Sequence, residues 1–160
     1  MYSNRGNDVE KGVMEMEIKE IDYDSPEYQE SLALRNRVMR IPLGLSIYEE
    51  DFSKESTAYI LGAFESQRLI GVGVLSKTLT GEIVSVDYLC VDTSIQSSGV
   101  GKQLLRALED YGRKRGATQI SLEARVSAQG FYEHCGYQDF GEVYNLNHAP
   151  VPHVLMKKSL

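Results

Sequence analysis

The segment Gln96, Ser97, Ser98, Gly99, Val100, Gly101, Lys102 constrains this chain more than any other, because it joins a strand-like run to a strongly patterned helix. Residues 82–91 upstream are rich in β-branched and aromatic side chains, and downstream Val100, Leu104, Leu105, Leu108 and Tyr111 recur at helical spacing. Glycines lack a Cβ and let a backbone come close to a ligand. The first N–H groups of a helix have no partner inside it and point at whatever anion sits there. The segment is therefore a candidate phosphate cradle, suited to a pyrophosphate. A P-loop of the form GxxxxGK[ST] would need glycine at Gln96 and a hydroxyl residue at Gln103, and a dinucleotide fingerprint GxGxxG would need glycine at Leu104. The loop meets neither. Its pattern is [QR]xxGxG, which taken alone is short enough to be a plain turn at a helix start.

Composition narrows the partners. A chain of 160 residues, 42% hydrophobic and 25% charged, suits one globular domain with a real core. The formal net charge is -6 and no basic run extends beyond Arg113, Lys114, Arg115, which argues against a nucleic-acid partner. No stretch approaches the ~20 apolar residues of a membrane span, and residues 1–12 are polar where a signal peptide would be apolar, so a cytoplasmic site of action with no membrane partner is expected. Cys90 and Cys135 form no CxxC pair, which suits a reducing compartment and argues against a disulfide framework or a zinc site. Cys90, inside an apolar strand, reads as a core thiol.

Residues 1–12 lack periodicity and read as a flexible tail, with order starting near Val13, where Met14, Met16 and Ile18 alternate with Glu15, Glu17 and Lys19. Ser25 and Pro26 signal the start of a helix through about Met39, which Pro42 stops. Residues 44–56 read as loop, 57–64 and 69–79 as strands, and Thr80, Gly81 as the turn into a strand ending at Val91. The helix after the glycine loop runs to about Arg115 and is closed by Gly116. A strand at 120–124, a short helix at 127–135 closed by Gly136, and strands at 137–146 and 154–158 complete the order. That order predicts a three-layer α/β domain around one mixed sheet.

In this context the [QR]xxGxG loop resembles the acetyl-CoA loop of the GNAT superfamily of N-acetyltransferases. The resemblance covers residues 14–160. EARVSAQGFYEHCGY at 123–137 is similar to the family's second acetyl-CoA segment. LRNRVMRIP at 34–42, PHVLMK at 152–157, and Gly141, Glu142, Val143 look like the subgroup that includes glyphosate N-acetyltransferase and related small-molecule amine acetyltransferases. The resemblance implies a GNAT fold, α/β/α around a mixed, mostly antiparallel sheet that splays at the acetyl-CoA site. It also implies a single acetyltransferase domain over residues 13–160, with acetyl-CoA as cosubstrate and no metal.

Residue by residue, it implies that the cofactor arm pairs with backbone groups of Leu89, Cys90 and Val91, and that the amide near Leu89 or Cys90 polarises the reacting carbonyl. The phosphates would meet Gln96, Ser97, Ser98, Gly99, Val100, Gly101 and Lys102. Phe131 and Tyr132 would stand beside the cofactor, with Phe131 in the core. Tyr132 is the candidate acid for the departing thiolate, since a phenol of pKa about 10 stays protonated at neutral pH; an aromatic that merely packs the short helix is the alternative. His153 is the candidate base, its pKa of about 6.5 leaving it mostly neutral at pH 7, although a histidine in a terminal strand is often structural. His134 and His148 carry no implied role, and a metal site at His148 and His153 lacks a third ligand at suitable spacing.

Arg40 and Arg125 align with arginines that hold an acidic substrate in the subgroup, a task suited to forked guanidinium contacts. Arg125 also stands where many relatives carry an asparagine near the cofactor. A third such arginine would fall on Asp87, a carboxylate here. Placed on a strand face with Ser85 and Leu89, Asp87 would attract a cationic amine, act as a second base through water, or form an ion pair with Arg125. The expected activity is transfer of acetyl from acetyl-CoA to the primary amine of a small metabolite, by direct attack in a ternary complex. A protein or peptide N-acetyltransferase with an open groove is one alternative, with Tyr48, Glu49, Glu50, Asp51 and Phe52 as groove wall instead of lid. A non-catalytic acyl-CoA-binding module is the other, and it would have no use for Tyr132 or His153. Assembly as a homodimer stays open.

Overall fold

The computed structural model describes residues 16–78, 81–95 and 98–160. The tail expected at 1–12, the strand start at Val13 and Met14, and the loop residues Gln96 and Ser97 lie outside the described residues. The strands are β1 (Met16–Glu20), β2 (Tyr59–Glu65), β3 (Arg68–Lys77), β4 (Ile83–Val91), β5 (Gln119–Arg125), β6 (Gln138–Asn145) and β7 (Pro152–Ser159). They form one sheet in the order β1-β2-β3-β4-β5-β7-β6. The β4–β5 pair is parallel and the other pairs are antiparallel. This is the GNAT fold.

Helices α1 (Pro26–Met39), α2 (Val100–Lys114) and α3 (Gln129–His134) cover the sheet. Ser25 caps α1 by accepting the Tyr28 N–H at 3.2 Å, and Pro26 supplies the fixed φ of a first helical residue. Leu32 and Leu34 of α1 pack with Ile60, Val72, Val74 and Cys90 on one face. On the other face Val100, Leu104, Leu105 and Leu108 of α2 pack with Leu61, Ile70, Val84, Ile120 and Met156. Helices on both faces of a sheet make the expected three layers. Among the described residues no helix is long and apolar enough to cross a membrane.

Three local expectations differ from the structure. Residues 44–56 include helical turns: 3₁₀ segments span Ile47–Glu49 and Ser53–Thr57, and the second delays the start of β2 to Tyr59. The helix expected at 127–135 is a 3₁₀ turn, Val126–Ala128, followed by α3. The third difference is a β-bulge in β4. Val86 pairs with Leu75 and Tyr88 with Val74, so Asp87 is an extra residue with no partner in that register. The bulge reverses the alternation: Val84 and Val86 lie in the core on the α2 side, and beyond it Leu89 and Val91 pack there while Tyr88 and Cys90 turn to the α1 side. Asp87 therefore shares a face with Ser85, whose hydroxyl lies 3.2 Å from it, and not with Leu89 as simple alternation predicts.

Two interruptions meet at this point. The parallel β4–β5 ladder runs from Ile83 and Gln119 to Val86 and Leu122 and stops. Past Val86 the two strands part while β4 continues to pair with β3 as far as Val91. The bulge and the splay together open the sheet where the site lies.

Candidate active site

Gly99 caps α2 in the left-handed region at φ +88°, a conformation L side chains rarely adopt. The first intrahelical bond closes from the Gln103 N–H to the Gly99 carbonyl at 3.1 Å. The amides of Val100, Gly101 and Lys102 thus precede the first bonded turn and carry the positive end of the helix dipole. A Cβ at Gly101 would meet the Phe131 ring at 3.4 Å and Val91 at 3.6 Å, so glycine keeps the wall of the cavity low there. Among the residues placed here in advance, Gly99, Val100, Gly101, Lys102, Leu89, Val91, Phe131 and Tyr132 line a single cavity of about 490 Å³. Its open helix start has the form of the expected phosphate cradle. Phe131 departs from its expected core position. It is 38% exposed and lies over Gly101, because the bare glycine offers its ring a surface.

From this cavity the cleft continues into the β4–β5 gap. A second space of about 360 Å³ shares Leu89, Val91, Ala128 and Tyr132 with the first and is also bordered by Cys90. A third, of about 380 Å³, shares Asp87, Tyr88, Glu123 and Arg125 with the second and reaches Arg40 and His153. The passage joins the glycine loop at one end to His153 at the other, with Tyr132 along the way. Every described candidate except Ser98 and Cys90 lines one of its end cavities.

Tyr132 is buried, with its ring packed edge-on against Phe131 and Tyr137 at centroid distances of 5.1 and 5.8 Å. Burial holds its phenol pKa above the usual value, so the proton stays on through the neutral range. His153 is 3% exposed and its Nδ1 lies 2.6 Å from the Val151 carbonyl. A carbonyl only accepts, so Nδ1 carries the hydrogen and Nε2 of the neutral ring keeps its lone pair. Burial first, and then Arg125 and His148, lower the His153 pKa, against opposing effects of the Val151 carbonyl and Glu123. Cys90 has its pKa pushed up to about 12 by burial, an inert core thiol. Asp87 opens on the cleft, and partial desolvation raises its pKa against hydrogen bonds from Ser76 and Ser85, with Glu55 and Glu123 adding to the rise.

An acetyltransferase (GNAT) domain model matches residues 44–160 of the chain. The chain belongs to the GNAT family of acetyltransferases. Over 149 residues it is 28% identical to the uncharacterized protein YyaT of Bacillus subtilis strain 168, an alignment covering 91% of this chain and 97% of that one. A second protein of that strain, assigned as an acetyltransferase, is 32% identical over 89 residues, covering 56% of this chain and 59% of its own. Among solved structures, a Lactobacillus plantarum protein assigned as an N-acetyltransferase superposes with a TM-score of 0.77 at 26% identity, over 91% of this chain and 98% of that chain. An aminoglycoside 6'-N-acetyltransferase solved with coenzyme A shares the fold, with a TM-score of 0.72 at 21% identity over 89% and 96% of the two chains. As a GNAT enzyme this chain is an acyltransferase whose donor is acetyl-CoA, and the cradle fits that donor. The glycine at position 101 leaves room that any side chain would fill.

The far end of this GNAT cleft, where the acceptor is expected, is arranged differently from that expectation. Arg40 is 1% exposed and engaged on every side. Its Nε and Nη2 donate to the Glu50 carboxylate at 2.7 and 3.3 Å, Nη2 also reaches the Tyr88 hydroxyl at 2.9 Å, and Nη1 donates to the Met39 carbonyl at 3.2 Å. It is a wall of the cavity, not a free cation. Arg125 donates from Nη2 to the same Met39 carbonyl at 2.9 Å, while its buried Nε has no partner among the described residues. No ion pair joins Arg125 to Asp87 among the described residues.

Sequence reasoning passed over Glu50 as a counter-ion and did not place Tyr88, Glu123, Leu146 or His148 in the site, all of which line the third cavity. A signal existed for the first. Arg35 and Arg40 are five residues apart, as are Glu50 and Glu55, and the two pairs join as Arg40–Glu50 and Arg35–Glu55. Among the described residues no cluster of His, Cys, Asp and Glu is placed to hold a metal ion.

Proposed function

We propose that this enzyme acetylates the primary amine of a small metabolite by direct attack in a ternary complex, as in the subgroup that includes glyphosate N-acetyltransferase, but with a different acceptor preference. The observation that carries the reading is the continuous cleft from the Gly99–Gly101 loop, past Tyr132, to His153. Bound acetyl-CoA supplies an acetyl group already activated as a thioester. His153 Nε2 removes the proton from the incoming ammonium, leaving the amine lone pair to form the C–N bond. A backbone amide of β4 near Leu89 or Cys90 donates to the carbonyl oxygen as charge develops there, an effect of roughly 3 kcal/mol for donors of this kind. Tyr132 gives its proton to the thiolate released as the C–S bond breaks, and the second proton lost by the nitrogen as the amide forms restores the phenol.

The acceptor cavity is lined by Glu50 and Phe52, which flank the 3₁₀ segments, by Glu55 within the second, and by Leu146, His148 and Ala149 from the β6–β7 connection. Walls on both sides favour a small molecule over a peptide, so residues 44–56 act as lid. Asp87 offers a carboxylate with no ion-pair partner among the described residues, which favours an acceptor that is cationic beyond its reacting amine, or uncharged, over a dianion. Residues 13–160 act as one catalytic domain, the site of action is the cytoplasm, and a homodimer is compatible with this reading.

Thiol release from acetyl-CoA is measured against cationic, neutral and acidic primary amines and against lysine peptides, with wild type and Asp87→Asn. Turnover is expected with small amines, and the cationic-to-acidic ratio of kcat/KM is expected to fall in Asp87→Asn. Preference for peptides, or release independent of any amine, overturns the reading.

A further inference from the structure

Arg35 of α1 and Arg40, which caps its end, each hold a glutamate of the 44–57 segment, and the two pairs differ in how far they open to the cavity. Arg35 is fully buried, and its Nη1 and Nη2 meet Glu55 at 2.8 and 3.0 Å, with the Tyr28 hydroxyl donating to the same carboxylate at 2.7 Å. Glu55 also borders the cavity, but its side chain is 8% exposed and its carboxylate is taken up by Arg35 and Tyr28, so this pair is all but sealed from it. The Glu50 side chain is 21% exposed, and both Glu50 and its partner Arg40 line the acceptor cavity. One pair closes the fold; the other is a surface of the site.

The guanidinium groups of Arg40 and Arg125 converge on the single carbonyl of Met39, at 3.2 and 2.9 Å. Two like charges are thereby brought side by side, each disfavouring the other. Among the described residues Glu50 is the carboxylate ion-paired to either of them, and it takes Arg40 in a forked contact of the kind a substrate carboxylate would make. Arg125 keeps a buried Nε without a partner beside it.

Resting on the assignment of this cavity to the acceptor, we propose that Glu50 determines acceptor specificity. Its carboxylate is the built-in occupant of an anion subsite formed by Arg40 and Arg125, and it turns away amines that carry a negative charge. Removing that charge, with the cavity otherwise intact, opens the subsite to a carboxylate or an oxyanion. The selectivity against acidic acceptors then lies in the carboxylates of Glu50 and Asp87 and not in the arginines themselves.

The test uses a matched pair of acceptors, β-alanine and β-alaninamide, which differ in the charge at the far end. It also uses inorganic sulfate as an anion probe that needs no acetyl transfer. Wild type is expected to favour the amide and to show no saturable rise in Tm with sulfate. In Glu50→Gln, which keeps the size and hydrogen-bonding shape of the side chain, the β-alanine to β-alaninamide ratio of kcat/KM is expected to rise at least tenfold, about 1.4 kcal/mol. A saturable sulfate stabilisation is expected to appear with it and to vanish when Arg125→Gln is added. Glu50→Ser repeats the measurement without an amide in the cavity, and cooperative unfolding checks that each variant is folded. A ratio and a sulfate response that stay at wild-type values in both variants overturn the proposal, as does an equal sulfate response in wild type. If sulfate binds as expected but no amine of either kind is acetylated, Glu50 guards an anion subsite and the small-amine reading is what falls.

Discussion

His153 and Arg125 stand opposite each other across the β5–β7 ladder, with the imidazole held at Nδ1 by the Val151 carbonyl. Burial and the neighbouring guanidinium both disfavour the imidazolium, so the His153 pKa lies below its ordinary 6.5. A base works in its neutral form, and the acidic limb of kcat/KM is therefore expected below pH 6.5. Arg125→Gln removes one of the charges opposing protonation, and the limb should move to higher pH. The same sign governs stability. The unfolded chain binds the proton more readily than the fold does, so a contribution to stability is lost as pH falls from 6.5 through the lowered value. A pH profile of the two proteins checks the first point; an unmoved limb would mean that Arg125 does not act on the titrating group.

Tyr132→Phe should keep the packing against Phe131 and Tyr137 and remove only the hydroxyl. Loss of a positioned acid of this kind costs about 10²-fold in kcat. Acetyl-CoA affinity, read by calorimetry, should change little. Wild-type turnover in the folded variant would reduce Tyr132 to a packing residue.

Gly99→Asp places a carboxylate beside the amides that open α2 and forces an L side chain into φ +88°. Space is not the obstacle, since no atom lies within 4 Å of a Cβ built there. Charge and backbone strain are. Acetyl-CoA affinity should drop at least tenfold, roughly 1.4 kcal/mol, while Gly99→Asn, which tolerates the left-handed region better, should lose less. Equal affinities for both variants and wild type would remove the cradle from the phosphates.

The sealed Arg35–Glu55 pair makes a prediction about stability alone. Glu55→Ala leaves a guanidinium buried without a counter-charge and deprives the Tyr28 hydroxyl of its acceptor. Breaking a buried pair from one side costs about 3 kcal/mol. Urea unfolding should show a loss of that order, against a much smaller loss for Glu50→Gln, whose site is open to the cavity.

What could be read in advance follows from how local the information is. The strand and the helix that flank the glycine loop, Ile83–Val91 and Val100–Lys114, are each written in a continuous stretch, as are the cap at Ser25 and the stop at Met39, and these elements lie close to where periodicity and capping place them. The splay beside β4 followed from the resemblance, and the ladder ending at Val86 and Leu122 has that form. The bulge at Asp87 had no local signal, because a period of two is read on the assumption that it never slips. The Arg40–Glu50 pair escaped for another reason. Both residues were noticed, but a substrate and a neighbouring glutamate ask the same chemistry of an arginine, and their packing in three dimensions decides between them.

The extra residue in β4 also makes the bulge that absorbs it, more than any one side chain, the sensitive feature of this segment. Upstream of Asp87 the strand presents Val84 and Val86 to α2, and downstream it presents Leu89 and Val91 to that same side. Were Asp87 taken up into plain alternation instead of the bulge, every later side chain would change face, sending Tyr88 towards α2 and Leu89 towards α1. Tyr88 would leave Arg40, and Leu89 would leave the cavity of the glycine loop. A lineage of such enzymes can therefore vary many side chains along β4 to change what it acetylates, but flattening the bulge with all its residues kept would uncouple donor and acceptor in a single step.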